Sequence, residues 1–304
     1  MNIGLVDCDK TNYPNLALMK LSAYHKAKGD SVEFVTGFNH YNRIYISKVF
    51  DETYSQYSDG FMFADEIVRG GTGYGLDNKL PDDVEHTKPD TSIYGIKDTA
   101  YGFLTRGCPR GCPFCIVAEK EGRKSVKVSD LSEFWSGEKN IDLLDPNLLA
   151  CKDSENLLQQ LADSKASVNF NQGLDARLLT KENISLLNKI NIKMLHFAWD
   201  LPQFSEAVLN GLNLYRRFGK VKSFRDRRVY VITNFNTDHY YDLYRVEKLK
   251  AMDFDPYVMI YNKPSAPYIT KALQRWVNNK FIFRSCNTFA DYCRHQKIKG
   301  ENND

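Results

Sequence analysis

Tyr101 to Gly122 reads YGFLTRGCPRGCPFCIVAEKEG and places three of the chain's seven cysteines within eight residues, as Cys108-x3-Cys112-x2-Cys115. Pro109, Gly111 and Pro113 stand between them, so no helix can carry the three thiols on one face. The stretch reads as a loop wrapped around a point. Soft thiolates converging there suit a metal ion or an iron–sulfur cluster, and three of them leave one coordination position open for chemistry. Zinc with a distant fourth ligand is the alternative, although no second ligand pair at finger spacing follows. A disulfide framework suits neither an odd cysteine number nor a chain of this length.

Downstream of this loop, apolar runs recur with helical patterns between them. Strands are expected at Asn140 to Leu144, Ser167 to Asn171, Met194 to Trp199, Arg228 to Thr233 and Pro256 to Tyr261, and helices over Ser154 to Asp163 and Lys181 to Lys189. With Gly102 to Thr105 as the first strand, six βα units result. Upstream, MNIGLVD, a helical pattern over Leu16 to Lys28 capped by Gly29, SVEFVT at 31–36 and Tyr41 to Phe50 form a β-α-β rhythm, which predicts a parallel sheet. Ala64 to Gly75, ADEIVRGGTGYG, reads as a strand entering a glycine-rich turn; its spacing matches neither a Walker loop nor a dinucleotide fingerprint. Lys79 to Thr91 is polar, holds two prolines and is the expected linker. The fold class is therefore α/β: a Rossmann-like parallel-sheet domain over residues 1–93, a second domain over 94–295, and a frayed tail over 296–304.

Composition excludes little. At 304 residues, with 42% hydrophobic and 26% charged residues, the chain can bury a substantial core, and a net charge of +3 does not argue for nucleic acid. No apolar run approaches the roughly 18 residues of a membrane span and no signal-peptide pattern opens the chain, so a cytoplasmic protein without a membrane partner is expected. Cys8, Cys151, Cys286 and Cys293 are scattered and read as small buried hydrophobes, with an auxiliary cluster at Cys286 and Cys293 as the alternative.

The CxxxCxxC spacing with an aromatic before the last cysteine resembles the signature of radical S-adenosylmethionine (SAM) enzymes. The resemblance implies that Cys108, Cys112 and Cys115 hold three irons of a [4Fe–4S] cluster, that SAM chelates the fourth, and that Phe114 lies near the adenine. It also implies a cytoplasmic one-electron reductant, reductive cleavage of SAM to a 5′-deoxyadenosyl radical, and hydrogen abstraction from a substrate. Six βα units match the partial (β/α)6 barrel of that family. In barrels of this kind the chemistry sits at the C-terminal ends of the strands. Those ends nominate Asp145 and Asn147 after the second strand, Asn171, Gln172 and Arg177 after the third, Asp200 after the fourth and Asn234 after the fifth. By the resemblance Asp145 and Asn147 stand where the SAM amino group is contacted, and Asn171, Gln172 and Arg177 stand near ribose and carboxylate. A structural salt bridge is the other reading of Arg177.

The N-terminal arrangement is similar to the cobalamin-binding-type domain that precedes one branch of radical SAM cores. Its first strand-to-helix loop, Asp7-Cys8-Asp9-Lys10-Thr11-Asn12-Tyr13-Pro14, has no histidine to ligate cobalt, so cobalamin is not expected. Tyr215 to Arg228, YRRFGKVKSFRDRR, interleaves seven basic residues with aromatics, and RNA is the partner such density would suit. A solvated helix-to-strand loop is the plainer reading. The substrate is open. A methylthiotransferase-like enzyme acting on RNA or protein is an alternative within the class; a zinc-stabilised RNA-binding protein and an iron–sulfur sensor are alternatives outside it.

Overall fold

The computed structural model describes residues 1–296 apart from 10, 12, 38 and 51–62. Of the tail expected over 296–304, Gln296 ends the last helix, and 297–304 lie outside the described residues. Two compact units form, one from Met1–Gly111 with Ile116–Asp145, the other from Cys112–Cys115 with Pro146 to the C-terminal end.

In the first unit, β1 (Asn2–Asp7), α1 (Leu16–Ala27), β2 (Ser31–Phe34), β3 (His40–Ser47) and β4 (Phe63–Gly70) follow the predicted rhythm. All four strands are parallel, in the order β2-β1-β3-β4. Asn15 caps α1 by accepting from the Leu18 N–H, and Gly29 follows its end with φ +83°, as a C-terminal glycine cap does. The helix buries Leu18 and Leu21 against Ile3 and Leu5 of the sheet and Val84 of α2 (Asp82–Glu85), a short helix within the expected linker.

β5 (Thr99–Gly102) pairs in parallel with β8 (Asn140–Leu143), while β6 (Thr105–Arg106) and β7 (Val126–Lys127) form an antiparallel pair near α3 (Val117–Lys120). The strand expected at Gly102 to Thr105 is thus displaced. The break falls there because the buried Asp145 carboxylate turns the chain, accepting from the Leu104 N–H at 3.1 Å, the Thr105 N–H at 2.6 Å and the Thr105 hydroxyl at 2.7 Å.

In the second unit, α4 (Ser154–Ser164) precedes β9 (Ser167–Phe170), and α5 (Lys181–Leu187), β10 (Asn191–Ala198), α6 (Ser205–Phe218), β11 (Arg227–Thr233), α7 (His239–Ala251), β12 (Asp255–Ile260) and α8 (Tyr268–Asn278) alternate after it. β9, β10, β11 and β12 are parallel neighbours in that order. α9 (Lys280–Ser285) and α10 (Phe289–Gln296) close the unit.

One sheet face is apolar and covered. Phe197 of β10 packs edge-on against Tyr215 of α6 at 5.4 Å, and Val258 of β12 shares a core with Val246 of α7 and Leu273 and Trp276 of α8. The alternate residues, Asn169, His196, Arg228, Tyr230 and Tyr257, are polar or aromatic, and all but His196 are half-buried. Parallel sheets ordinarily bury both faces in near-continuous apolar runs. This polar face therefore departs from what packing alone would select. Among the described residues no helix is long and apolar enough to cross a membrane.

Candidate functional site: the cysteine loop and the strand ends

The neck of the cysteine loop is closed by backbone. Gly107 has φ +84°, and a Cβ there would lie 2.1 Å from the Lys124 carbonyl oxygen, so only glycine fits. The Cys108 N–H donates to the Gly122 carbonyl at 3.1 Å, and Glu121 accepts from the Gly107 N–H at 3.1 Å. Within the loop the Cys115 N–H donates to the Cys112 carbonyl at 2.9 Å, the tight turn that Cys-Pro-Phe-Cys permits. None of the three cysteines is in a disulfide; Cys108 and Cys112 are half-buried and Cys115 is exposed. Among the described residues no group of three or more His, Cys, Asp or Glu side chains closes around one point as a single ion requires. The donor chemistry, three soft sulfurs on one glycine-shaped loop with none in a disulfide, would suit an iron–sulfur cluster held by Cys108, Cys112 and Cys115.

Phe114 packs edge-on against Phe235 at 5.3 Å, and Phe235 against Tyr261 at 4.9 Å. Both partners follow strand ends, of β11 and β12. Asn234, in the left-handed region at φ +61°, donates its amide to the Tyr261 carbonyl at 2.8 Å. The structure thus gathers Phe114 and Asn234 around one aromatic row. A second group forms about Asp175: Arg177 binds it bidentately at 2.7 and 3.0 Å, and the Asn147 amide reaches it at 3.4 Å. Arg177 also lies over the Phe204 ring. Its partner is hence a residue two positions earlier, not a neighbouring helix. Asn171 accepts from the Asn169 amide at 2.6 Å and its carbonyl accepts from the Tyr230 hydroxyl at 3.0 Å, while Gln172 is exposed. Asp145 serves the turn after β5, and burial pushes its carboxyl up to about 6.

Two residues outside the strand ends, His196 and Arg245, matter here. His196 is 4% exposed and stacks on Tyr230 with centroids 5.0 Å apart. Its Nδ1 lies 2.9 Å from the Phe170 carbonyl, so Nδ1 carries the proton and donates. Burial pushes the imidazole down to about 4, leaving it neutral. Arg245 of α7, fully buried, donates to the carbonyls of Trp199, Asp200 and Ile232 and ties the ends of β10 and β11 together. The Asp200 carboxylate accepts from the Ile232 N–H, and burial raises its carboxyl to about 6. Only contact between elements distant in the chain reveals these pairs; the one sequence signal is polar residues alternating with apolar ones in strands that should be uniformly apolar.

The basic stretch divides. Tyr215 and Arg227 are buried, Arg228 pairs with Asp255 at 3.1 Å, and Arg216, Arg217, Lys220, Lys222 and Arg225 stay exposed. The exposed group precedes β11, at the opposite end of the strand from Asn234. Cys286 and Cys293 pack against the core around Trp276.

In the first unit, the ends of β1 and β3 flank the point where the strand order reverses, the place where open parallel sheets bind ligands. Here it is filled by the chain. Asp9 accepts from the Val49 and Phe50 N–H groups at 2.7 and 3.2 Å, the Gly73 N–H donates to the Lys48 carbonyl at 2.9 Å, and the Tyr94 hydroxyl donates to Asp7 at 2.6 Å. Gly71, at φ +97°, leaves room for no Cβ, which would fall 2.2 Å from the Lys48 oxygen.

No family model matches the chain, and no curated protein sequence matches it. Among solved structures it is similar to TsrM from Kitasatospora setae, a radical S-adenosylmethionine methyltransferase determined with cobalamin and a [4Fe–4S] cluster bound, at a TM-score of 0.60 and 10% identity over 85% of this chain and 74% of that one. The two chains thus share an overall fold. At this identity the likeness extends to fold alone.

Proposed function

We propose that the protein is a radical SAM enzyme, with Cys108, Cys112 and Cys115 holding a [4Fe–4S] cluster and β5 with β8 to β12 serving as a partial barrel. The observation that carries this reading is the three-thiol loop, closed at its neck by Gly107, in a chain with the fold of a radical SAM methyltransferase. When bound, the cluster would supply one-electron reductive cleavage of SAM and, through the 5′-deoxyadenosyl group, hydrogen abstraction from a substrate. The chain's own residues bind and orient. Phe114, braced by Phe235, offers an edge for a flat base, and Asn234 is fixed beside it. Arg177 offers a positive charge to a carboxylate, with Asp175 holding its guanidinium in place. The neutral His196, its Nδ1 committed to Phe170, presents Nε2 on the polar sheet face as an acceptor for a substrate N–H or O–H.

Cobalamin does not suit the first unit of this chain. The switch point is taken by Asp9, Gly71, Gly73 and Tyr94, and the first loop lacks a histidine. The sheet of β1 to β4 reads as a packed module rather than as a second cofactor site.

Anaerobic reconstitution with iron and sulfide, then dithionite and SAM, tests the proposal. Chromatography is expected to detect 5′-deoxyadenosine, absent when the three cysteines are replaced by Ala. A cluster that forms without cleaving SAM would favour the sensor, and a protein retaining only zinc would overturn the cysteine assignment.

A further inference from the structure

A line of alternating charges runs into the neck of the cysteine loop. Lys20 of α1 binds Glu85 at 3.1 Å and also donates to its backbone carbonyl. Glu85 binds Arg106 at 2.9 Å, Arg106 binds Glu121 at 2.8 Å, and the second oxygen of Glu121 accepts from the Gly107 N–H at 3.1 Å, one residue before Cys108. The guanidinium also stacks over the Phe103 ring, 3.9 Å from its centroid. These side chains are sheltered: Lys20 is 11% exposed, Glu121 15% and Arg106 27%. Exposed ion pairs are screened and weakly oriented, whereas this series is partly desolvated and anchored at both ends to backbone.

Resting on the assignment of the cluster to Cys108, Cys112 and Cys115, we infer that Glu121 and Arg106 are positioning residues of the metal centre: together they hold the Gly107–Cys108 backbone in its ligating conformation and set the charge beside the cluster. Two consequences follow from the geometry. Glu121 supplies the only side-chain acceptor that the described residues give the Gly107 N–H, so its loss frees the neck. The pair also balances itself. Deleting the carboxylate leaves Arg106 as excess positive charge two residues from Cys108, which favours the reduced, more negative cluster and raises its potential; deleting the guanidinium leaves Glu121 in excess and lowers it. A purely structural loosening has no reason to give opposite signs.

Glu121→Ala, Glu121→Gln, Arg106→Gln and Glu85→Gln test this in two arms. In the apo protein, amide hydrogen exchange of Gly107 and Cys108 is expected to quicken about tenfold or more in Glu121→Ala, which leaves no side-chain acceptor where a Gln oxygen could still serve, with the thermal midpoint little changed; unchanged exchange would overturn the positioning role. In the reconstituted protein, ferrous iron is expected to pass to a chelator several-fold faster in Glu121→Gln and Arg106→Gln. The midpoint potential should rise in Glu121→Gln, rise less in Glu85→Gln, and fall in Arg106→Gln. Shifts of one sign, or none, would overturn the charge-setting role. If the wild type takes up no cluster, the proposed function fails, and the apo exchange still decides whether Glu121 sets the loop. Should Arg106→Gln not fold, the Glu121→Gln and Glu85→Gln pair retains the ordered prediction.

Discussion

Replacing Asp145 by Asn probes the turn on which β5 and β6 are built. The carboxylate serves the Leu104 N–H, the Thr105 N–H and the Thr105 hydroxyl, and both donor residues are fully buried. An Asn oxygen can keep the Thr105 contacts, but its NH2 then faces the Leu104 N–H, and one buried donor loses its acceptor at a cost of about 1–3 kcal/mol. The variant also escapes titration. Burial lifts the wild-type carboxyl from 3.8 to about 6, so the folded state binds the proton more tightly than the unfolded chain. The stabilisation this lends is fully present below pH 3.8 and is lost as pH rises through about 6, a total of about 3 kcal/mol at roughly 1.4 kcal/mol per pH unit. About 1 kcal/mol of it falls between pH 5 and pH 7. At pH 7 the two effects nearly offset, and the variant should lie within about 2 kcal/mol of wild type. At pH 5 its deficit should grow by about 1 kcal/mol. Urea unfolding of both apo proteins at the two pH values measures this, because titrations common to both cancel in the difference. A deficit independent of pH would mean that the carboxyl is not desolvated in the fold. One that shrinks at pH 5 would mean that the three donors stabilise the ionised form outright, and the reasoning would be wrong.

Other outcomes are equally definite. NMR titration should place His196 near pH 4, and because its folded value is depressed, wild-type stability falls as pH drops from about 6.5 through about 4; His196→Phe should remove up to about 3 kcal/mol of that loss, measured by acid unfolding. Gly107→Ala must accommodate a Cβ against the Lys124 carbonyl at positive φ, and reconstituted protein should retain less than half of the wild-type iron while far-UV circular dichroism is unchanged. Protein reconstituted with hydroxocobalamin and passed through gel filtration should carry no corrinoid absorbance, and stoichiometric retention would show that the filled switch point opens.

The cysteine loop is legible because its information is local: three thiols within eight residues, separated by prolines and glycine, cannot lie on a helix face and form a loop. Strand rhythm was legible for a similar reason, since apolar runs and intervening helical periods need no partner to be seen. β9 to β12 fall close to where the pattern put them. The first strand of the second series was misplaced by three residues, because what ends it is a carboxylate some forty positions later. The polar residues at the strand ends are visible in the sequence, but their partners are not. Arg177 pairs with Asp175, two positions earlier, and Asp145 spends its oxygens on a turn. Sequence position says that a side chain is near an edge, not which acceptors it meets there.

By itself, then, the chain's sequence sets three closely spaced thiols with an aromatic before the last, and the parallel α/β class, both of which follow from spacing and period. Tertiary structure decided the rest. It stacked His196 on Tyr230 across neighbouring strands, ran Lys20, Glu85, Arg106 and Glu121 into the neck of the loop, buried Arg245 beneath three carbonyls, and filled the first sheet's switch point with Asp9 and the Gly71–Gly73 turn. Each of these joins residues far apart in the chain. Desolvation and hydrogen-bond satisfaction, which select such contacts, act on proximity in space, and the fold alone supplies it.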